Sequence, residues 1–459
     1  MVASNGSFPR NSARNFARNP GLRTTSVPAA PTFTAALVEF GASVTPNIHQ
    51  IANNFVDLDN FYDTAEVSYD GWSWSTSAMA PDIVIRQTAV NYCFRAGVAY
   101  ESEGDLRGIN LNYRPATLAA NVLPGTVDTD APDGPGNQLN SGYIWSTAMR
   151  SGLSVREYGA DGDAIGSAIP WPSSIGVQQT NPSFAVLNNS TNYDVDFRAY
   201  DLIEDDTYRY EEWNYDVFTR LGGNLPALSI VRFPKDHTGS YSTNPDTVNY
   251  TPEAEVADND YAVGKLIQDI ANSQYKSNTL IFVVEDDAHG GDHVDAHRSV
   301  AFIVGPYVKQ GAVVSTQYNT INFIRTIERV LGLSPNHITD ALAQPMADVF
   351  DITQNPNNWS FTATAAPILY TTELTPLLPP APAAMVVPKP LQGGQYWARV
   401  TKGFDFTKAD NVDPAAYNRI LWRGLKGDVK YPGDADLAET RRRYKEALKK
   451  GREASEETE

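Results

Sequence analysis

Residues 279–299 read TLIFVVEDDAHGGDHVDAHRS. A mostly apolar run ends in three adjacent acids, Glu285, Asp286 and Asp287. His289, His293 and His297 follow, half of the chain's six histidines. Adjacent carboxylates repel one another, and a strand end near a core makes their charge costly. A divalent cation offsets both penalties. Gly290 and Gly291 allow a tight turn. His293, Asp295 and His297 share one face if this stretch is extended. Mixed oxygen and imidazole donors suit Zn, Mn or Fe, and an oxygen-dominated set suits Ca or Mg. The plainer alternative is a solvated acidic turn with surface histidines.

Two further stretches carry reactive groups. RFPKDHTGS (232–240) follows the apolar run ALSIV. Its Arg232 and Lys235 suit phosphate, and its His237 suits metal; a turn nucleated by Asp236 and Gly239 is the plain alternative. EVSYDGWSWSTSAMAPD (66–82) holds four serines, two tryptophans and Asp70. A buried serine beside a cation can act as a nucleophile, because the cation stabilises its alkoxide. An aromatic packing motif with capping serines is the alternative. Cys93 has no His or Asn partner pattern and reads as a small buried residue.

These groups need elements to hold them. TPNIHQIANNFVDLDNFY (45–62) predicts a capped helix and a short strand, with Pro46 in the first turn and Ile48, Ile51, Ala52 and Phe55 on one face. Residues 142–159 predict a helix, a glycine stop and a strand. NLPALSIVRF (224–233), TLIFVV (279–284) and SVAFIVGPYV (299–308) read as buried strands. A helix is expected from about Asp258 within 251–273. NTINFIRTIERVLGL (319–333) predicts an amphipathic helix ending near Gly332. Apolar strands alternating with amphipathic helices imply an α/β fold, a mostly parallel central sheet with helices on both faces. Residues 121–143 read as a surface loop. The expected organisation is a basic disordered tail (1–35), a hydrolase domain (36–355), a Pro-rich extended strap or linker (356–392), and a C-terminal extension of short helices with a charged tail (393–459).

The 459 residues suffice for a sizeable core, and the net charge of −18 argues against nucleic acid as a partner. One cysteine excludes an intramolecular disulfide and a Cys-based zinc site. No apolar run is long enough to predict a transmembrane span. The first 38 residues hold Arg10, Arg14, Arg18 and Arg23 but no Asp or Glu, a composition shared by transit segments and disordered tails. No apolar h-region marks a secretory signal.

Taken in order, the motifs resemble the alkaline-phosphatase-like superfamily, and within it the bacterial phosphoesterase family of phospholipase-C and acid-phosphatase types. TPNIHQIANNF (45–55) looks like the family's TPN helix. NFYDTAEVS (60–68) is similar to the stretch that delivers the nucleophile. PALSIVRFPKDHTG (226–239) resembles the strand-then-histidine motif, and TLIFVVEDD the strand ending in a metal-ligand pair. SVAFIVGP matches the strand after the last metal histidine, and YNRILWRGLKGD (417–428) resembles the C-terminal end of one branch. The match runs over roughly residues 36–430.

The resemblance implies a metal-dependent hydrolase of phosphate esters, with small-molecule or lipid esters as substrates. Ser68 falls on the nucleophile position, with Ser73 and Ser75 as fallbacks. His237 falls on a metal or phosphate contact, and Asp286 and Asp287 on metal ligands, joined by His293 or His297. Arg232 or Lys235 would steady the phosphate. The cofactor would be a divalent metal: Zn, Mn, Fe or Ca. Such families are often exported, which leaves the compartment open here.

The same resemblance leads one to expect a first strand ending in an acidic ligand, often Glu-Asn, well upstream of the TPN helix. Residues 1–44 offer only Glu39, with Phe40 next. The expectation is therefore that the first strand and its ligand are missing. Either the gene start is clipped, or the chain is a catalytically impaired or inactive metal-binding or interaction homologue. An Asp common a few residues before the motif histidine is replaced here by Phe233 or Pro234.

Overall fold

The computed structural model describes residues 2–4, 40–65, 68–80, 142–160, 162–182, 191–241, 250–287, 297–407, 412 and 414–431. In chain order the strands and helices are β1 (Val2–Ser4), α1 (Pro46–Asn54), β2 (Val56–Leu58), β3 (Phe61–Tyr62), α2 (Ser68–Ser77), α3 (Ile144–Arg150), β4 (Val155–Tyr158), β5 (Gly162–Ala164) and β6 (Thr180–Pro182). Then come α4 (Asp206–Tyr215), β7 (Leu228–Arg232), α5 (Pro252–Asn272), β8 (Ile281–Val284), β9 (Ala301–Val304), β10 (Ala312–Val314) and β11 (Tyr318–Asn319). The last helices are α6 (Thr320–Leu331), α7 (Ile338–Leu342), α8 (Gly394–Val400) and α9 (Pro414–Lys426).

A seven-stranded sheet runs β10-β2-β9-β8-β1-β7-β4. The pairs β10–β2, β8–β1, β1–β7 and β7–β4 are parallel, and β9 lies antiparallel to both β2 and β8. The register brings several strand ends to one edge. Ser4 sits between Arg232 and Val284. Val284 pairs with Ala301, the start of the reversed β9. Asp57 of β2 pairs with Phe302, so β2 also ends at that edge. The segments after β2, β7 and β8 and the segment entering β9 therefore emerge together, where sites form in α/β sheets.

One expectation is corrected. The first strand is present: Val2–Ser4 occupies the slot between β7 and β8, pairing in parallel with both. The tail expected over residues 1–35 thus contributes a strand; residues 5–39 lie outside the described part.

The other elements follow from local chemistry. Helix α1 has Pro at its first turn and buries Ile48, Ile51 and Ala52. Two backbone N–H groups of its first turn, Asn47 and Ile48, donate to the Asp260 carboxylate on α5 at 3.0 and 2.7 Å. The side-chain amide of Asn47 donates to the same carboxylate. Helix α5 begins at Pro252, earlier than the expected Asp258, because the Thr251 hydroxyl accepts from Ala254 N and Pro252 starts the helix. Helix α6 carries the Asn319–Asn322 capping box and stops at Gly332, which has φ 71°.

Within the Pro-rich stretch, two short 3-10 turns replace a uniformly extended strap. Ala366, Ile368, Leu369 and Leu374 there pack against Ala254, Ala257 and Tyr261 of α5. Burying those side chains favours compact turns over a straight run. The expected loop at 121–143 lies outside the described residues except at its end, as does Cys93. Among the described residues, no helix is long and apolar enough to cross a membrane.

Candidate active site

Helix α2 starts at Ser68, which is fully buried. Its hydroxyl donates to Asp287 Oδ2 at 2.8 Å. The helix sits hard against the segment after β8: a Cβ on Gly71 would stand 2.5 Å from the Asp286 carbonyl oxygen. Serine and tryptophan are middling helix formers, so α2 depends on this packing more than on propensity. Ser75 bonds back to the Trp72 carbonyl of its own helix, and Ser73 is buried. Of the three serines considered, Ser68 is the one whose hydroxyl meets the strand-end acids.

Glu285, Asp286 and Asp287 are all buried, at 5%, 3% and 5% exposure. Glu285 accepts a short hydrogen bond from the Ser299 hydroxyl. Its carboxyl is held well above the usual range, first by burial and then by Asp63, with Asp236 and Asp287 adding repulsion. Asp236 is also held well above its ordinary value, by burial and then by the charges of Asp206 and Asp286; Arg232 pulls the other way. Asp236 Oδ1 is buried and accepts no hydrogen bond from the described residues.

His297 enters the same edge. Its Nδ1 lies 3.1 Å from the Asp63 carbonyl oxygen, and its own carbonyl accepts from Asp63 N at 2.6 Å. If Nδ1 carries the proton in that contact, Nε2 is the ring nitrogen that holds the lone pair. His237 closes a 3-10 turn after β7, and its ring meets Tyr200 edge-on at 5.4 Å. Arg232 is buried between the Trp72 and Tyr200 rings, 5.1 and 4.8 Å from their centroids. His289, His293 and Asp295 lie outside the described residues.

Lys235 faces inward. It is 1% exposed, and its ammonium donates to the Leu202 carbonyl at 2.7 Å. Asp205 and Glu255 stand 3.5 and 3.6 Å away. The ammonium expected to meet phosphate is thus turned toward one carbonyl and two carboxylates of the protein.

Asp63 and Asp236 join the acidic group without having been singled out as ligands. The signal for Asp63 was its place just after the short strand Phe61–Tyr62, an acid at a strand end like Asp286. A second acidic group, Asp194, Asp196 and Glu212, has oxygens within 4.8 Å of one another. Arg220 bonds all three, at 2.9, 2.6 and 3.0 Å. A guanidinium already supplies the positive charge a cation would bring there, so this group is read as an ion-pair network.

A family model described as "Phosphoesterase family" matches residues 19–334. No curated protein matches the chain. Solved structures that it resembles include an alkaline phosphatase superfamily protein from Vibrio parahaemolyticus, with 16% identity over 78% of this chain and 72% of that one and a TM-score of 0.40. The human ectonucleotide pyrophosphatase/phosphodiesterase 5 shows 10% identity over 76% and 99%, with a TM-score of 0.39. The lipoteichoic acid synthase LtaP of Listeria monocytogenes shows 11% identity over 75% and 73%, with a TM-score of 0.41.

Proposed function

The chain belongs to the Phosphoesterase family and is a phosphoric ester hydrolase, and on that premise we propose that Ser68 is its nucleophile and that the reaction depends on a divalent metal. The observation that carries this is the bond from Ser68 Oγ to Asp287 Oδ2, 2.8 Å, at the edge where the strand-end acids gather. Asp287 fixes the hydroxyl in one orientation. Attack on phosphorus forms a phosphoserine and releases the alcohol. The N-terminus of α2 and the Arg232 guanidinium steady the negative phosphoryl oxygens. Water then cleaves the phosphoserine and restores Ser68.

The residues present fit a cation. Burial and mutual repulsion hold Glu285 and Asp236 protonated beyond their ordinary range, and Asp236 Oδ1 accepts no hydrogen bond from the described residues. Asp286, Asp287 and His297 would hold the metal, together with Asp236 and His293; His237 would contact the metal or the phosphate. When bound, Zn, Mn, Fe or Ca lowers the serine pKa and offsets phosphoryl charge. Lys235 takes no part. The fold in this reading is a mostly parallel sheet with helices on both faces, and the substrate is a small-molecule or lipid phosphate ester.

A catalytically impaired homologue is the second reading. It is favoured by β1, which ends at Ser4 with Asn5 next in sequence and no acid before Glu39. An assay on 4-nitrophenyl phosphate and bis(4-nitrophenyl) phosphate, before and after chelation and metal return, separates the two. Turnover that is lost to EDTA and restored by metal supports the hydrolase. Metal uptake with no turnover on either ester supports the second reading. Turnover indifferent to EDTA overturns the metal dependence.

A further inference from the structure

The backbone just after His237 is strained. Thr238 has φ 52° and ψ 144°, a region nearly reserved for glycine, and Ser240 has φ 55°. Such a conformation persists only where its surroundings over-determine it. Part of the hold comes from α5: Glu255 accepts the Gly239 N–H at 2.8 Å. A further hold comes from the C-terminal arm, described over residues 393–407, 412 and 414–431. The Tyr417 hydroxyl of α9 lies 2.7 Å from Thr238 Oγ1 and 3.0 Å from the Tyr241 hydroxyl. Phe406 fills the space over Gly239 so closely that a Cβ there would overlap its ring. Phe406 also packs against Tyr200 and Leu202, and Tyr200 meets the His237 ring. Tyr417 stacks edge-on against Phe406 at 5.4 Å, so hydroxyl and ring act as one clamp.

We propose that the C-terminal arm is a positioning element of the active site, with Tyr417 and Phe406 clamping the strained turn at residues 238–240 and thereby fixing His237. Tyr417 is a positioning residue: it touches the turn, and acts on chemistry only through His237. This rests on the reading of His237 as a metal or phosphate contact. It gives the arm a role that its distance along the chain from Ser68 and Asp287 does not suggest.

The test uses the full chain, with Tyr417→Phe, Phe406→Leu and Trp422→Phe. The last removes the bond from the Trp422 indole to the Val429 carbonyl on the same arm without touching the turn. Amide hydrogen exchange over residues 237–240 and steady-state kinetics on 4-nitrophenyl phosphate are measured. Tyr417→Phe and Phe406→Leu are expected to speed exchange there about tenfold and lower kcat about tenfold, with KM changed less than about twofold. Trp422→Phe keeps parental values for both, which separates positioning from general loss of stability. Parental exchange over 237–240 in Tyr417→Phe overturns the proposal, as does faster exchange with unchanged kcat. If the parent hydrolyses neither ester, the functional reading fails on its own. The exchange result alone then decides: faster exchange upholds the clamp, and parental exchange removes it.

Discussion

The Ser68 hydroxyl donates to the Asp287 carboxylate at 2.8 Å, although 219 positions separate them in sequence. Parallel β8 and β2, with β9 reversed between them, bring the start of α2 and the segment after β8 to the same edge. Both residues are buried, so the contact is fixed by the fold and not by a surface encounter.

Asp287→Asn tests the two roles proposed for Asp287, orienting the Ser68 hydroxyl and holding the metal. The amide keeps the shape but loses the charge that receives the serine hydrogen bond. The expected outcome is a kcat lower by roughly 100-fold or more with a near-parental circular dichroism spectrum. A variant as active as the parent would remove Asp287 from the mechanism.

Gly71→Ala tests the packing of α2 on the strand-end segment. Its new Cβ would meet the Asp286 carbonyl oxygen at 2.5 Å, so helix or segment must move. The cost is about 1–3 kcal/mol of stability, and a shift of about 1 Å in Ser68 lowers turnover about 100-fold. Thermal melts and kinetics read the two effects separately, and unchanged values in both contradict the close contact.

Lys235→Met tests whether that ammonium is structural. Removing it leaves Asp205 and Glu255 buried without their cation. The expected loss is about 3–5 kcal/mol in denaturant unfolding, as for other broken buried pairs. A variant of parental stability with a raised KM alone would return Lys235 to phosphate binding.

Stability should fall as pH rises from about 4 to about 7. The Asp260 carboxyl, which caps α1, is pushed up to about 7 by burial, outweighing the hydrogen bonds it accepts from Asn47 and Ile48. A raised folded-state pKa means that the folded chain holds the proton more tightly than the unfolded chain does. The stabilisation is therefore full below about 4 and lost as pH passes through about 7. Asp260 contributes on the order of 2–4 kcal/mol to that slope. Asp260→Asn, which is neutral throughout, flattens the slope; an unchanged slope in unfolding midpoints between pH 4 and pH 8 would exclude Asp260 as its source.

Much of this site was legible along the chain. The run TLIFVV ending in acids gave β8 and its carboxylates because a buried strand and a charged end differ so sharply in composition. The cap of α6 was equally local, whereas α1 is capped by the distant Asp260 and not by the Thr45 side chain, which makes no cap hydrogen bond. What escaped depended on distant partners. Val2–Ser4 has only three residues and a basic, polar surround, and its pairing with β7 and β8 is what makes it a strand. Helix α2 has weak propensity and is held by Asp286 and Asp287. The direction of Lys235 depends on Asp205 and Glu255, and no spacing within RFPKDH encodes which way its ammonium turns.

The most direct measurement is acid quenching of the metal-loaded enzyme during turnover of 4-nitrophenyl phosphate, followed by peptide mass spectrometry. One phosphoryl group is expected on the peptide containing Ser68, absent in Ser68→Ala, which also loses turnover but keeps its metal. A Ser68→Ala variant that hydrolyses the ester at the parental rate, with no phosphoryl group found on Ser68 in the parent, would contradict it.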